Sequence, residues 1–203
     1  KIPGGGLAAP IVMLCNYVGQ QVFEEFMDKE RWETYKNQTE WGQLPICTLE
    51  YREGTVEGDK VILTGSVPSL KLIGGIFGLY FTELKQNFRY ETDVWIDVSK
   101  DCFQTIYPSF KLKDEEKLKA RKELISENGK LFHWFQKFDT KLKKKIERNE
   151  RFLVNNNVSI ADFHFFATIN SIICGWLDGI DKTFLEKFEN LHSWYNTFLV
   201  HYQ

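Results

Sequence analysis

No two cysteines in this chain stand close enough to form a CxxC pair: Cys15, Cys47, Cys102 and Cys174 are scattered over 203 residues. The four histidines, His133, His164, His192 and His201, are equally dispersed, without HxxxH spacing or an adjacent cysteine pair. These absences remove the spacings of zinc sites, so no metal is expected and the histidines read as structural. Thiols without a pairing framework read as single buried cysteines in a reducing compartment, the cytoplasm or another such as the mitochondrial matrix. No apolar run approaches the length of a membrane span and no signal-peptide pattern is visible, so membrane insertion is not expected. An excess of charge of one sign is also missing. With 26 Lys and Arg against 28 Asp and Glu, the formal net charge is −2, which gives no general attraction to nucleic acid or acidic membranes. The glycine-rich opening KIPGGGLAAP has no Lys-Ser/Thr after its glycines and fits no GxGxxG pattern, which argues against a phosphate cradle.

What is present is aromatic mass, with 17 Phe, 8 Tyr and 6 Trp among 43% hydrophobic residues. That is enough for one large domain or two small ones with aromatic-rich cores or clefts. The first third alternates helix and strand signals. A short helix is expected over Ala9 to Val18, with Pro10 at its start, then an edge strand over Gln21 to Phe26 and a brief helix over Lys29 to Lys36. Ile46 to Tyr51 and Val61 to Thr64 read as strands joined by a turn over Arg52 to Asp59. Helix returns over Ser66 to Phe77, with Ser66 as N-cap and Gly74-Gly75 either weakening the helix or marking a close packing contact. Beyond about Phe88 only helical spacing remains, including a long segment from Asp114 to Ile146. Ser159-Ile160-Ala161-Asp162 is a capping box opening a densely apolar run, which predicts a buried central helix, and Glu189 to Leu199 predicts a last amphipathic one. The expected organisation is an α/β domain over 1–79, a link over 80–87 and an all-helical domain over 88–203.

Read in order, these pieces resemble the glutathione transferase family, and within it the sigma class. Trp32-x-x-x-Lys36 and Gly42-Gln43-Leu44-Pro45 are similar to the family's W-x-x-x-K and G-Q-L-P motifs. Leu63-Thr64-Gly65-Ser66, running on to Phe77-Gly78-Leu79, resembles a segment that usually reads L-x-Q-S and ends F-G-L. Phe152-Leu153-Val154 with Val158 to Phe163 matches the C-domain signature. The resemblance implies a thioredoxin-like N-terminal domain followed by an all-helical C-terminal domain, with glutathione as ligand.

It also implies a cis Pro45, the alternative being a trans bond in an ordinary turn. Leu44, flanked by Gln43 and Pro45, would offer its main chain to the cysteinyl backbone of glutathione. Ser66 would meet the γ-glutamyl carboxylate or act as a simple N-cap, and both can hold. Lys36 and Trp32 would face the glycyl carboxylate; a surface lysine and a half-buried tryptophan are the plain alternative. Asp101 follows Asp93 and Asp97 on one helical stripe. By resemblance it would reach the ammonium of a partner's ligand across a two-fold dimer, and otherwise it belongs to a solvated face. The basic run Lys141 to Lys145 either meets an acidic partner or is solvated.

Two departures stand out. In the family, a Tyr, Ser or Cys ending the first strand donates to the glutathione sulfur and favours the thiolate. Here Lys1 takes that position, and residues 1–10 contain no hydroxyl or thiol. Either residues upstream of Lys1 complete the first strand or the sheet is remodelled. Gly65 replaces the glutamine that holds the γ-glutamyl carboxylate. The expectation is a transferase homologue, catalytically impaired, acting as a structural or accessory subunit with at most weak glutathione binding. It would form a homodimer or part of a larger assembly. The alternatives are an active transferase or glutathione-dependent isomerase with its donor elsewhere, and a glutathione-binding module without catalysis.

Overall fold

The computed structural model describes residues 6–53, 56–80 and 86–202. Lys1, and with it the expected tyrosine position, lies outside the described residues. The chain opens with a single 3-10 turn at Gly6–Ala8 and helix α1 at Ala9–Tyr17, with Pro10 in the first turn where a missing N–H costs nothing. Ile11, Leu14 and Cys15 are buried, a spacing that puts them on one face of α1. The expected strand at Gln21 to Phe26 does not form; this stretch is irregular, and Phe23 is 85% exposed. Val22, Phe23 and Phe26 do not alternate with polar residues, so a strand here would have no single apolar face to bury.

Helix α2 spans Lys29–Tyr35, capped by the Asp28 carboxylate accepting from the Arg31 N–H at 2.8 Å, and tightens into a 3-10 turn at Lys36–Gln38. Strands β1 (Ile46–Glu53) and β2 (Val56–Thr64) pair antiparallel, from Ile46 opposite Thr64 to Glu53 opposite Val56. Pairing therefore runs through most of the expected turn at Arg52 to Asp59, with the register shifted by one residue between Glu50 and Arg52, as at a β-bulge. Among the described residues the sheet has these two strands.

Helix α3 (Ser66–Ile76) follows directly. Its N-cap is Gly65, not Ser66: a backbone at φ 88°, ψ 144° is open to glycine and strained for any L side chain. Gly74 marks the close contact anticipated for the glycine pair, since a Cβ there would stand 2.2 Å from Ile160 Cγ2.

The remaining elements are helical: α4 (Gln86–Gln104), a 3-10 turn at Tyr107–Lys111, α5 (Asp114–Leu124), α6 (Lys130–Glu147), α7 (Ile160–Ile173), α8 (Thr183–Glu186) and α9 (Glu189–Tyr202). The segment of helical spacing from Asp114 to Ile146 forms two helices, with a break before Gly129, whose N–H returns to the Ser126 carbonyl at 2.7 Å. A Cβ at Gly129 would lie 2.1 Å from the Leu124 carbonyl oxygen, so the break needs glycine.

Helix α7 is the axis of the molecule. Twelve of its fourteen residues are buried, so it must be surrounded on every side. Phe163 meets Tyr17 of α1 edge-on at 5.4 Å, while Phe165 packs against Trp95 of α4, Phe138 of α6 and Trp194 of α9. The capping box is present as expected: Asp162 accepts from Ser159 N–H and Ser159 Oγ, each at 2.9 Å, and from Leu153 N–H at 2.8 Å. Burial pushes the Asp162 carboxyl up to about 6, against the opposing pull of these hydrogen bonds. One continuous apolar cluster joins Leu14, Leu70 and Ile73 to the aromatic centre of the helical region. The thiols are all free, but only partly as expected: Cys15 and Cys102 are buried, Cys47 is half-buried and Cys174 is exposed.

Candidate functional site

The loop between α2 and β1 is built on its own polar groups. Thr39 Oγ1 donates to the Lys36 carbonyl at 2.8 Å and accepts from the Gly42 N–H at 2.9 Å. This turn delivers Gln43, Leu44 and Pro45 to the start of β1. The Thr-x-x-Gly spacing at Thr39–Gly42 was a readable turn signal that sequence reasoning passed over.

The Leu44–Pro45 peptide bond is cis. Leu44 is 42% exposed, and its main chain makes no hydrogen bond with the described residues. Gln43 beside it is exposed. The Pro45 carbonyl accepts from the Gly65 N–H at 3.0 Å, which fixes the G-Q-L-P loop beside the entrance to α3. The first N–H groups of α3 have no partner within the helix, and its dipole makes this end favourable for an anion.

The Ser66 hydroxyl donates to the Leu7 carbonyl at 2.5 Å, and so ties the N-terminal turn to the same spot. Ser69 below it returns its N–H and hydroxyl to the Gly65 carbonyl, at 3.3 and 2.6 Å. Leu7, Pro45, Gly65 and Ser66 are thus brought together with the open main chain of Leu44. Leu7 carried no sequence signal, because its part is played by a carbonyl 59 residues from the hydroxyl it accepts.

The other anticipated residues stand apart from this cluster or are engaged elsewhere. Trp32 is half-buried on α2. Lys36 Nζ pairs with Glu33 Oε2 at 2.5 Å, and its carbonyl lies 3.8 Å from where a Gly42 Cβ would be. Asp101 is exposed on α4 and forms no ion pair with the described residues. The stripe it belongs to divides its work: Asp93 is bound by Lys71 and Tyr80, and Asp97 lies 3.7 Å from Lys100. No group of three or more His, Cys, Asp or Glu side chains able to hold a metal lies together among the described residues.

Cys47, three residues after Leu44, and Cys15 both have their thiols pushed up, chiefly by burial. That keeps both protonated at neutral pH and unsuited to act as nucleophiles.

Comparison with known proteins places this geometry. A family model described as glutathione S-transferase, C-terminal domain, matches residues 100–201. The chain is similar to Glutathione S-transferase 2 of Manduca sexta, 30% identical over 161 residues that cover 79% of this chain and 70% of that protein. Among solved structures, prostaglandin synthase D of Nilaparvata lugens superposes with a TM-score of 0.70 at 22% identity, over 95% of this chain and 86% of that one. The sigma class enzyme of Fasciola hepatica gives 0.71 at 18% identity, over 95% and 84%. These structural likenesses extend through the two-stranded N-terminal part as well as the helical part. The fold is therefore the thioredoxin-like and all-helical pair expected from the motifs.

Proposed function

Given that the chain belongs to the glutathione S-transferase family, we propose that it binds glutathione weakly through main-chain groups, is impaired in transferase chemistry and serves as a structural or accessory subunit. The observation that carries this reading is the mismatch between main chain and side chains at one site. Leu44 is exposed, and its main chain has no hydrogen-bond partner among the described residues, beside the open N-terminus of α3. The side chains that should complete such a site are missing or held elsewhere: position 65 is glycine, the Ser66 hydroxyl is bound to Leu7, and Lys36 is bound to Glu33.

In this reading Leu44, framed by Gln43 and Pro45, takes the cysteinyl backbone as an added strand residue would. The γ-glutamyl carboxylate sits at the Ser66 end of α3. Lys36 and Trp32 reach the glycyl carboxylate only when Glu33 releases the lysine. Calorimetry should show weak, saturable heat with millimolar glutathione, and conjugation to an aryl halide should stay near the uncatalysed rate. Turnover at roughly 1–1000 per second would overturn it.

The likeness to a protein named Glutathione S-transferase 2 favours a second reading, an active transferase whose hydroxyl donor lies outside the described residues. It predicts saturable turnover that disappears when the donor is removed.

A two-fold homodimer is part of the proposal. Leu72 and Ile76 on α3 and Tyr90 and Val94 on α4 are exposed, and Lys71–Asp93 holds these helices side by side. Tyr90, Val94, Asp97 and Asp101 follow one another on a single face of α4, so an isologous contact there would carry Asp101 toward a partner. A monomer at all concentrations in sedimentation velocity would remove Asp101 from the site.

A further inference from the structure

The basic run from Lys141 to Lys145 does not act as one unit in the fold. Lys145 turns inward, with Nζ 2.9 Å from Glu91 Oε1 of α4 and 3.0 Å from Glu150 Oε2. Lys143 lies on a different side of α6 from Lys141. Lys141 and Lys144 instead extend a longer line. Lys130, Trp134, Lys137, Lys141, Lys144 and Arg148 follow one another at intervals of four, three, four, three and four residues. On a helix of 3.6 residues per turn they keep within about 40° of one line, about 27 Å long. The five cations are exposed, and Trp134 among them is half-buried, with Lys137 Nζ 5.2 Å from its ring centroid.

The stability of α6 does not account for this stripe. None of its five cations forms an ion pair with the described residues. Of the two carboxylates on α6, Asp139 is turned to the start of α9, and Glu147 is exposed and forms no ion pair with the described residues. Lys137 and Lys141, Lys141 and Lys144, and Lys144 and Arg148 are like charges three or four residues apart, which weakens a helix. The helix dipole offsets this only in the last turn, and Lys130 stands at its unfavourable end. The anions that balance the row must come from outside the described residues.

The shape of the row selects among anionic partners. Alternation of three and four residues is the period at which one helix lies along another. The row is one side chain wide, and α4, which holds Lys145 through Glu91, borders it with Asp97 and Asp101 exposed. A membrane or a nucleic acid laid across the stripe would meet those carboxylates too; a rod one helix wide lies along α6 without reaching them. We propose that the α6 stripe docks an acidic α-helix of a partner protein. Its Asp or Glu side chains repeat at the same three- and four-residue intervals, and an apolar side chain among them covers Trp134. This partner rests on the accessory-subunit reading and gives it a chemistry. The stripe is separate from the Leu44–Ser66 site, so glutathione turnover tests that reading while peptide binding tests the surface.

Fluorescence anisotropy of the full chain with a labelled alanine-based peptide of about 20 residues, glutamates placed at those intervals, tests the docking. A scrambled peptide of equal composition, a DNA duplex of similar length and phosphatidylserine-containing vesicles run in parallel. The patterned peptide should bind at least about tenfold tighter than the scrambled one, weaken as salt rises and gain helical circular dichroism when bound. Lys137→Glu with Lys141→Glu should weaken it by about tenfold or more, and Lys111→Glu with Lys119→Glu, outside the stripe, by less than about threefold. All four lysines are exposed, so both double variants should fold. No peptide binding, equal binding of the two peptides, preference for the duplex or the vesicles, or equal losses in both variants would overturn the proposal. So would salt-dependent self-association that Lys137→Glu with Lys141→Glu abolishes, since the stripe would then face a second copy of the chain.

Discussion

At the scale of single residues, Gly65 shows how backbone and ligand demands diverge. Its positive φ favours glycine, while an anchoring role would favour an amide side chain. Gly65→Gln should therefore move two readouts in opposite directions. The free protein should lose about 1–3 kcal/mol to backbone strain. Glutathione affinity should rise by roughly 10- to 100-fold through a hydrogen bond to a charged group. Thermal unfolding without ligand and calorimetry with glutathione check the two together; a lowered Tm with unchanged affinity would remove position 65 from the site. His164 offers a cleaner titration. It is buried on α7 with Nδ1 lacking a partner among the described residues, and burial, then the Lys100 charge, lower it to about 4, with Asp97 opposing. A depressed histidine adds stability above its unfolded value near 6.5, and this is lost as pH falls toward 4. Asp162 runs the other way: raised to about 6 from 3.8, it adds stability below about 4 that is lost as pH rises through 6. The two slopes oppose each other between about pH 4 and 6. His164→Gln should remove one of them, so the stability of wild type minus variant should grow by roughly 3 kcal/mol from pH 4 to 6.5. Urea unfolding across that range measures it, and a flat difference would show that His164 does not titrate as its burial implies.

At the scale of elements, what was legible in the sequence was what is local. The capping box of α7 was readable because Ser159 and Asp162 are three residues apart, and the G-Q-L-P loop because its four residues are contiguous. Long-range contacts left no pattern. The Asp139 carboxylate on α6 accepts from Asn190 N–H and Leu191 N–H at 2.7 and 3.0 Å, starting α9 from 51 residues away. Ser66 reads as an N-cap from sequence, yet its hydroxyl goes to Leu7, a choice decided by where the N-terminal turn lands. The absent strand at Gln21 to Phe26 illustrates the same limit, since strand formation depends on a neighbour to pair with as well as on residue type. The glycine pair of α3 permits a matched test of local against packed demands. Gly74→Ala places a methyl 2.2 Å from Ile160 Cγ2 and should destabilise by about 1–3 kcal/mol, because the first residue of α7 must shift. Gly75→Ala meets nothing within 4 Å and should stabilise by about 0.4–1 kcal/mol by restricting the unfolded chain. Denaturant midpoints of the two variants should fall on opposite sides of wild type.

At the scale of the whole molecule, the question is whether the N-terminal part and the helical part unfold as one body. The apolar cluster passes without a break from Leu14 and Leu70 to Phe165 and Trp194, which argues for a single cooperative unit. A polar seam reinforces that continuity. Lys71 of α3 pairs with Asp93 of α4 at 2.9 Å, the Tyr80 hydroxyl donates to the same carboxylate at 3.1 Å, and Arg89 Nε donates to the Tyr80 oxygen at 3.0 Å. Both cations also lie near the Tyr80 ring, at 5.6 and 5.1 Å from its centroid. Asp93 is the anion at the centre of this arrangement, so its removal leaves Lys71 and Arg89 close together with their charges uncompensated. Lys71 and Asp93 are about one-third exposed at their side chains, so screening limits the loss to about 1–2 kcal/mol for Asp93→Ala. The more telling result is the shape of the transition. If the apolar cluster carries the coupling, near-ultraviolet dichroism and tryptophan fluorescence should still change together in the variant, with the midpoint lowered. If the seam carries it, the two signals should separate, with Trp32 in the N-terminal part reporting before the tryptophans packed around α7. The packing favours the first outcome, because Ile160 sits against Gly74 and donates its N–H to the Leu79 carbonyl at 3.0 Å, so α3 cannot leave without disturbing the start of the central helix.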